Sequence, residues 1–202
     1  MDLVEGPHVD AKPKLQNDVP TRPTTRGPGV VLVGLPGSGK STVGRQLSRR
    51  LTLSFTDSDH VIEQRLGCSI REYFAEAGED AFREREQEVI AELARGADAV
   101  VATGGGAVLR EANRRALRAA GHVIYLRSSP EELYRRLRHD TQRPLLQVAD
   151  PLARLRAMHA ERDPLYRAAA HFQIETGRPS VPTLVNMVLM QLELAGVLPP
   201  RP

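Results

Sequence analysis

The sequence predicts an α/β protein with a central parallel sheet of five strands and helices on both faces. Five short apolar runs, Val30–Val33, 53–55, Ala99–Ala102, 122–126 and 171–175, alternate with longer amphipathic stretches. Strands separated by helix-length segments pair in parallel through crossovers rather than as hairpins. The runs Val30-Val31-Leu32-Val33 and Ala99-Val100-Val101-Ala102 are continuously apolar, as strands covered on both faces are.

The elements follow in order. Lys40–Leu51 is the helix after the first strand, and 53–55 runs into Asp57-Ser58-Asp59. A short helix over 60–66 precedes helical patterns at 69–77 and 79–95, separated by Gly78. The third strand ends at Gly104-Gly105-Gly106, and a helix over 111–119 leads to the fourth. Helix 129–138 has the best start signal, with Ser129 at the N-cap, Pro130 in the first turn and Glu132 three residues on. Segment 139–150 is polar without a period, 151–162 is helical, and 182–195 is the closing helix. Residues 1–28 hold five prolines and four residues of each charge sign, with no apolar face, and read as a disordered extension. The domain then spans 29–197, and 198–202 is a frayed end.

Composition narrows the function. The 202 residues are 41% hydrophobic and 26% charged, ordinary values for a globular domain. One cysteine, Cys68, excludes a disulfide framework and Cys-rich metal sites, and the six histidines lack ligand spacing. The acidic N-terminus has no apolar signal core, and no uninterrupted apolar run of about 18 residues is present. A cytoplasmic protein without a membrane partner is expected. The pI of about 9.3 raises a nucleic-acid reading. Against it, 25 of the 28 basic residues are arginines dispersed among acids, and aromatics are 4% of the chain. No nucleic-acid partner is expected, and without a heptad or interface stripe the chain reads as a monomer.

The strongest motif is Gly34-Leu35-Pro36-Gly37-Ser38-Gly39-Lys40-Ser41, which fits G-x-x-x-x-G-K-[ST] between a strand and a helix. Its backbone N–H groups converge on a phosphate at the positive end of the helix dipole. Lys40 reaches the β- and γ-phosphates and Ser41 suits Mg²⁺, which implies ATP. Asp57 and Asp59 allow two readings: one near Mg²⁺ and one near an acceptor hydroxyl, or a helix N-cap. The triple glycine is either a site of close ligand approach or a connector. Arg143, in Arg143-Pro144-Leu145-Leu146, is either the cation of a mobile lid over the phosphates or, as spacing alone favours among 25 arginines, one more surface residue.

In this order, the phosphate loop, Asp57-Ser58-Asp59, Phe82-Arg83-Glu84, Gly104-Gly105-Gly106, Arg143-Pro144-Leu145-Leu146 and Arg162-Asp163-Pro164-Leu165-Tyr166-Arg167 resemble the shikimate kinases. The resemblance covers the chain from about Val30 onward. It implies a P-loop kinase fold with a mobile lid, and ATP-dependent phosphorylation of the 3-hydroxyl of shikimate. It further implies that Gly37, Ser38, Gly39, Lys40, Ser41 and Thr42 cradle ATP, with Ser41 and Asp57 at Mg²⁺. Asp59 would meet the acceptor hydroxyl, Arg83 and Arg167 the carboxylate, and Gly104, Gly105 and Gly106 the ring hydroxyls. Arg143 would close over the phosphates, with Arg136 and Arg178 on the adenine side. Lys40, Asp59 and Arg143 would be the catalytic set.

Other small-molecule kinases of this architecture, such as gluconate or nucleoside monophosphate kinases, share the phosphate loop but not the Arg-Pro-Leu-Leu and Pro-Leu-Tyr-Arg segments. A catalytically dead nucleotide-binding regulator would have lost one of Lys40, Asp57, Asp59 or Arg143, and all four are present. Deleting residues 1–26 is expected to move the melting midpoint by less than about 5 °C, a fall beyond what ~1 kcal/mol produces in a domain of this size. A larger fall in a thermal melt would show that the extension docks on the domain.

Overall fold

The computed structural model describes residues 29–96, 98–138 and 148–198. The extension 1–28, the lid stretch that carries Arg143 and the chain end at 199–202 lie outside the described residues. Along the chain run β1 (Val30–Val33), α1 (Lys40–Leu51), β2 (Ser54–Asp57), α2 (Ser58–Leu66), α3 (Ile70–Leu93) and β3 (Ala99–Ala102). They are followed by α4 (Glu111–Ala120), β4 (His122–Arg127), α5 (Pro130–Leu137), α6 (Pro151–Ala169), β5 (Phe172–Glu175) and α7 (Val181–Leu194). All strand pairs are parallel, in the order β2-β3-β1-β4-β5. The expected five-stranded α/β sheet is present.

The alternation within β1 shows why both faces need helices. Val30 and Leu32 belong to one core with Val43 and Leu47 of α1 and Leu184, Val188 and Leu192 of α7. Val31 and Val33 belong to the other, with Leu117 of α4, Leu133 of α5 and Leu155 and Tyr166 of α6. A central strand whose side chains alternate between two apolar layers has no polar position to offer. A third, smaller cluster (Ile62, Phe82 and Val89) joins α2 to α3.

Several boundaries differ from the sequence expectation. Strand β2 extends to Asp57, where pairing with Ala102 holds the backbone extended, and α2 begins at once at Ser58. Helix α3 is continuous in outline, but Gly78 (φ 84, ψ 175) breaks its path, so the punctuation read there is a kink. Capping boxes hold the starts of α3 (Ser69 with Glu72) and α5 (Ser129 with Glu132).

The largest difference is α6. The sequence reading stops at Arg162, two residues before Pro164, yet the helix runs through Pro164 to Ala169. A proline inside a helix forfeits one backbone bond at some cost. Burial of Leu155, Met158, Tyr166 and Ala169 along the inner stripe offsets it. This continuation decides which arginines face the site. No described helix is long and apolar enough to cross a membrane.

Candidate active site

The loops after β1, β2 and β3 emerge side by side at the carboxyl edge of the sheet, where ligands bind in open α/β folds. Two cavities lie there. One, of about 470 Å³, is lined by Gly37, Gly39, Lys40, Ser41, Thr42, Asp57, Thr103 and Arg136. The other, of about 710 Å³, is lined by Arg83, Glu86, Gly104, Gly106, Phe82, Met158 and Arg162 among others. Pro36, Asp59 and Gly105 line both.

The smaller cavity fits a polyphosphate. Gly39 at the N-cap of α1 adopts φ 94, a left-handed conformation that an L side chain rarely takes. Helices α2, α3, α5, α6 and α7 each have a side chain capping their first turn, whereas α1 has neither a capping side chain nor a first-turn acid. Its leading N–H groups and the positive end of its dipole therefore suit an anion. The buried Ser38 hydroxyl has no hydrogen-bond partner, and Lys40 Nζ donates to the carbonyls of Gly34 (2.8 Å) and Leu35 (2.9 Å). An ammonium held on loop carbonyls can turn to phosphate oxygens without crossing open solvent. Thr42 is exposed at the mouth.

Ser41 Oγ donates to Asp57 Oδ2 at 2.6 Å, and the other carboxylate oxygen, Oδ1, accepts from the backbone N–H of Asp59 at 3.1 Å. Asp57 therefore caps α2 and also faces the phosphate loop, so the two readings of the aspartate pair coexist in one residue. A hydroxyl and one carboxylate are the sparse, hard-oxygen set that suits Mg²⁺, whose remaining ligands are waters and phosphates. No group of three or more His, Cys, Asp or Glu that could hold a metal occurs among the described residues.

Asp59 sits at the junction of the cavities. Burial, then the neighbouring Asp57 carboxylate, raises its pKa to about 6, against the opposing pull of Lys40. The triple-glycine loop wraps it. A Cβ on Gly104 would strike the Asp59 carboxylate, one on Gly105 would lie 2.6 Å from Pro36 Cδ, and one on Gly106 would strike the Arg83 guanidinium. Gly104 N–H donates to Ser58 Oγ at 3.0 Å. Close approach, rather than flexible connection, explains these glycines.

Arg83 is nearly buried and firmly placed. It donates to Glu86 (2.7 Å) and Glu79 (2.9 Å), and its guanidinium lies 5.2 Å from the Phe82 ring centroid and 5.8 Å from that of Phe74. Burial pushes the Glu86 carboxyl above its usual range, against the pull of Arg83.

The structure does not bring Arg167 into the cavity. Its Nε donates at 2.6 Å to Asp163, which is also bound by Tyr125 and Arg127 of β4, and the Arg167 side chain is 46% exposed. Arg162 takes the inner position instead, 11% exposed, with Nη1 donating to the Gly105 carbonyl at 3.2 Å. Five helical residues turn the chain through about 500°, so Arg162 and Arg167 point about 140° apart. Arg162 and Tyr166, four apart, share the inner face. Reading 151–169 as a single helix would have selected Arg162, and reading a break at Pro164 hides it. Glu86 and Thr103 are further lining residues that no motif marked.

On the adenine side, Arg136 lines the nucleotide cavity and donates to the Thr176 carbonyl. Arg178 is exposed between β5 and α7 and lines neither cavity.

Comparison with known proteins agrees with this geometry. The family model for shikimate kinase matches residues 36–193. The chain is 60% identical over 182 residues to a shikimate kinase of Paracidovorax citrulli, covering 88% of this chain and all of that one. Identity to a shikimate kinase of Ralstonia nicotianae is 59% over 171 residues, covering 85% and 90% of the two chains. A structure of Acinetobacter baumannii shikimate kinase in complex with shikimate superposes with a TM-score of 0.79 at 44% identity, covering 84% of this chain and 94% of that one. A gluconokinase of Sinorhizobium meliloti, 18% identical with a TM-score of 0.56, shares the fold alone. With two cavities meeting at Asp59 and a family match across most of its length, the chain belongs to the shikimate kinase family.

Proposed function

We propose that the chain carries out its family's reaction, transfer of the γ-phosphoryl group of ATP to the 3-hydroxyl of shikimate, with the two cavities holding the two substrates. The observation that carries this division is the shared wall of Pro36, Asp59 and Gly105. An acceptor in the larger chamber and a nucleotide in the smaller one face each other across a single carboxylate.

Each residue then has a role its surroundings support. The phosphate loop and the first turn of α1 orient the triphosphate, and Lys40 leaves its two carbonyls to neutralise charge developing on the β- and γ-phosphate oxygens. Ser41 and Asp57, hydrogen-bonded to each other beside the phosphate loop, would hold Mg²⁺, which would supply further charge neutralisation. Asp59 accepts the proton of the attacking hydroxyl as the oxygen–phosphorus bond forms and the bridging oxygen departs with ADP. A carboxyl with a pKa of about 6 is ionised at neutral pH yet is a better base than an exposed aspartate.

Arg83 and Arg162 together supply a divided cationic wall for the acceptor carboxylate, and the Gly104–106 backbone meets the ring. Arg136 flanks the adenine. The lid role of Arg143 rests on the sequence resemblance. The proposal includes a monomeric cytoplasmic enzyme. It also includes no nucleic-acid partner, in support of which surface arginines such as Arg65, Arg85 and Arg156 are paired with Glu92, Glu88 and Glu131 rather than aligned in a basic strip.

Three sets of variants test these roles. Lys40→Met should lower turnover by at least about 10²-fold with an unchanged circular dichroism spectrum. Near-normal turnover would exclude the phosphate-loop mechanism.

For Asp59, wild-type kcat/KM should decline as pH falls through about 6, where the free carboxylate takes up its proton. The native pKa lies above the unfolded one, so ionisation of Asp59 weakens the fold above pH 6 and ceases to do so as pH falls towards 4. Asp59→Asn should therefore be nearly inactive yet melt higher than wild type at pH 7.5, the gap closing as pH drops through that window. A variant less stable than wild type at pH 7.5 would contradict the burial argument.

Arg162→Ala should raise the KM for shikimate about tenfold or more, the effect of one charge-assisted hydrogen bond, while Arg167→Ala should change it little. The reverse ranking in steady-state kinetics would return the acceptor carboxylate to Arg167.

A further inference from the structure

Among the buried polar groups on the wall between the chambers, the Tyr166 hydroxyl has no part in binding or transfer. The residue is 0% exposed, and its Oη donates to the Gly105 carbonyl at 2.5 Å. The same carbonyl accepts Nη1 of Arg162 at 3.2 Å. A carbonyl oxygen has two lone pairs, so these two donors fill it.

The donors are not equivalent. The Tyr166 ring is stacked on Tyr125 (centroids 4.9 Å apart, planes at 26°), and Tyr125 Oη donates to Asp163 at 2.9 Å. The phenol is thereby held on one rotamer. Arg162 is held more weakly: beyond the Gly105 carbonyl it meets the Tyr166 hydroxyl itself, its Nε is buried without a hydrogen-bond partner, and its ion pair with Glu161 is long at 3.7 Å. Arg83 across the cavity is clamped by two glutamates. Of the two cavity-facing arginines, Arg83 is held by two carboxylates within 2.9 Å, whereas Arg162 has none that close.

We propose that Tyr166 is a positioning residue that keeps the Gly105 carbonyl satisfied when Arg162 turns from it to the acceptor's carboxylate. The proposal rests on the reading of Arg162 as an acceptor-binding arginine. Without the hydroxyl, Arg162 becomes the one remaining protein partner of a part-buried carbonyl that the bound acceptor would shut off from water. Turning to the substrate would then strand that oxygen, and the cost would appear as weaker acceptor binding. Gly105 also packs on Pro36 of the phosphate loop, so the hydroxyl holds in place the wall that both chambers share.

Tyr166→Phe keeps the ring and its stack and removes only the oxygen. It should raise the KM for shikimate about tenfold, with kcat at saturation and the KM for ATP within about twofold of wild type. The deciding measurement is the double-mutant cycle with Arg162→Ala. In the Arg162→Ala background there is no arginine to release, and adding Tyr166→Phe should change the shikimate KM by less than about twofold. Equal effects of Tyr166→Phe in both backgrounds would assign the hydroxyl to packing alone and overturn the proposal, as would an unchanged KM in the single variant. If Arg162→Ala by itself leaves the shikimate KM unchanged, the reading of Arg162 is what has failed.

Discussion

Three consecutive residues without side chains set the geometry of this active site. At Gly104, Gly105 and Gly106 a Cβ would run into Asp59, Pro36 and Arg83 in turn. The backbone after β3 thus lies against the Asp59 carboxylate, the phosphate loop and the Arg83 guanidinium. Chemistry between two substrates depends on such contact, because a displacement of an ångström between reacting groups costs orders of magnitude in rate. Hydrogen bonds from Gly104 N–H to Ser58, and from Tyr166 and Arg162 to the Gly105 carbonyl, keep the loop where the missing side chains let it sit.

The sheet supplies what this loop needs. Strand β1 is flanked by β3 and β4 and buried on both faces, so the phosphate loop that follows it starts from the packed centre of the sheet. Strand β2 carries Asp57 to the level of Ala102, and Asp57 caps the helix that begins immediately afterwards. One side chain therefore ends a strand, starts a helix and faces the phosphate loop. Economy of this kind leaves little freedom to vary the residue, since any change disturbs all three functions.

The site is also where charge is buried against the preference of the fold. Asp59 and Glu86 both have raised pKa values because burial disfavours their ionised forms. The cores on either side of the sheet, with Leu32, Leu47 and Leu189 on one face and Leu117, Leu133 and Leu155 on the other, supply the stability that offsets this. Strain of this sort is what a carboxylate must carry to act as a base at neutral pH while lying beside a phosphate chain.

The sequence by itself determined the parallel α/β sheet, the phosphate loop with Lys40 and Ser41, the aspartate pair and the triple glycine. Each is a local pattern: an apolar run, a glycine spacing, or a motif whose residues act within one turn of chain. Only the tertiary structure decided between Arg162 and Arg167. That choice depends on whether a helix survives Pro164, and it does because Tyr166 and Ala169 bury themselves against β4 and the other helices of that layer. A five-residue separation then carries one arginine into the cleft and the other onto Asp163. The pairing of Tyr166 with Gly105, 61 residues apart, was equally beyond any local pattern, because a buried hydroxyl chooses its partner only once the sheet has brought distant segments together.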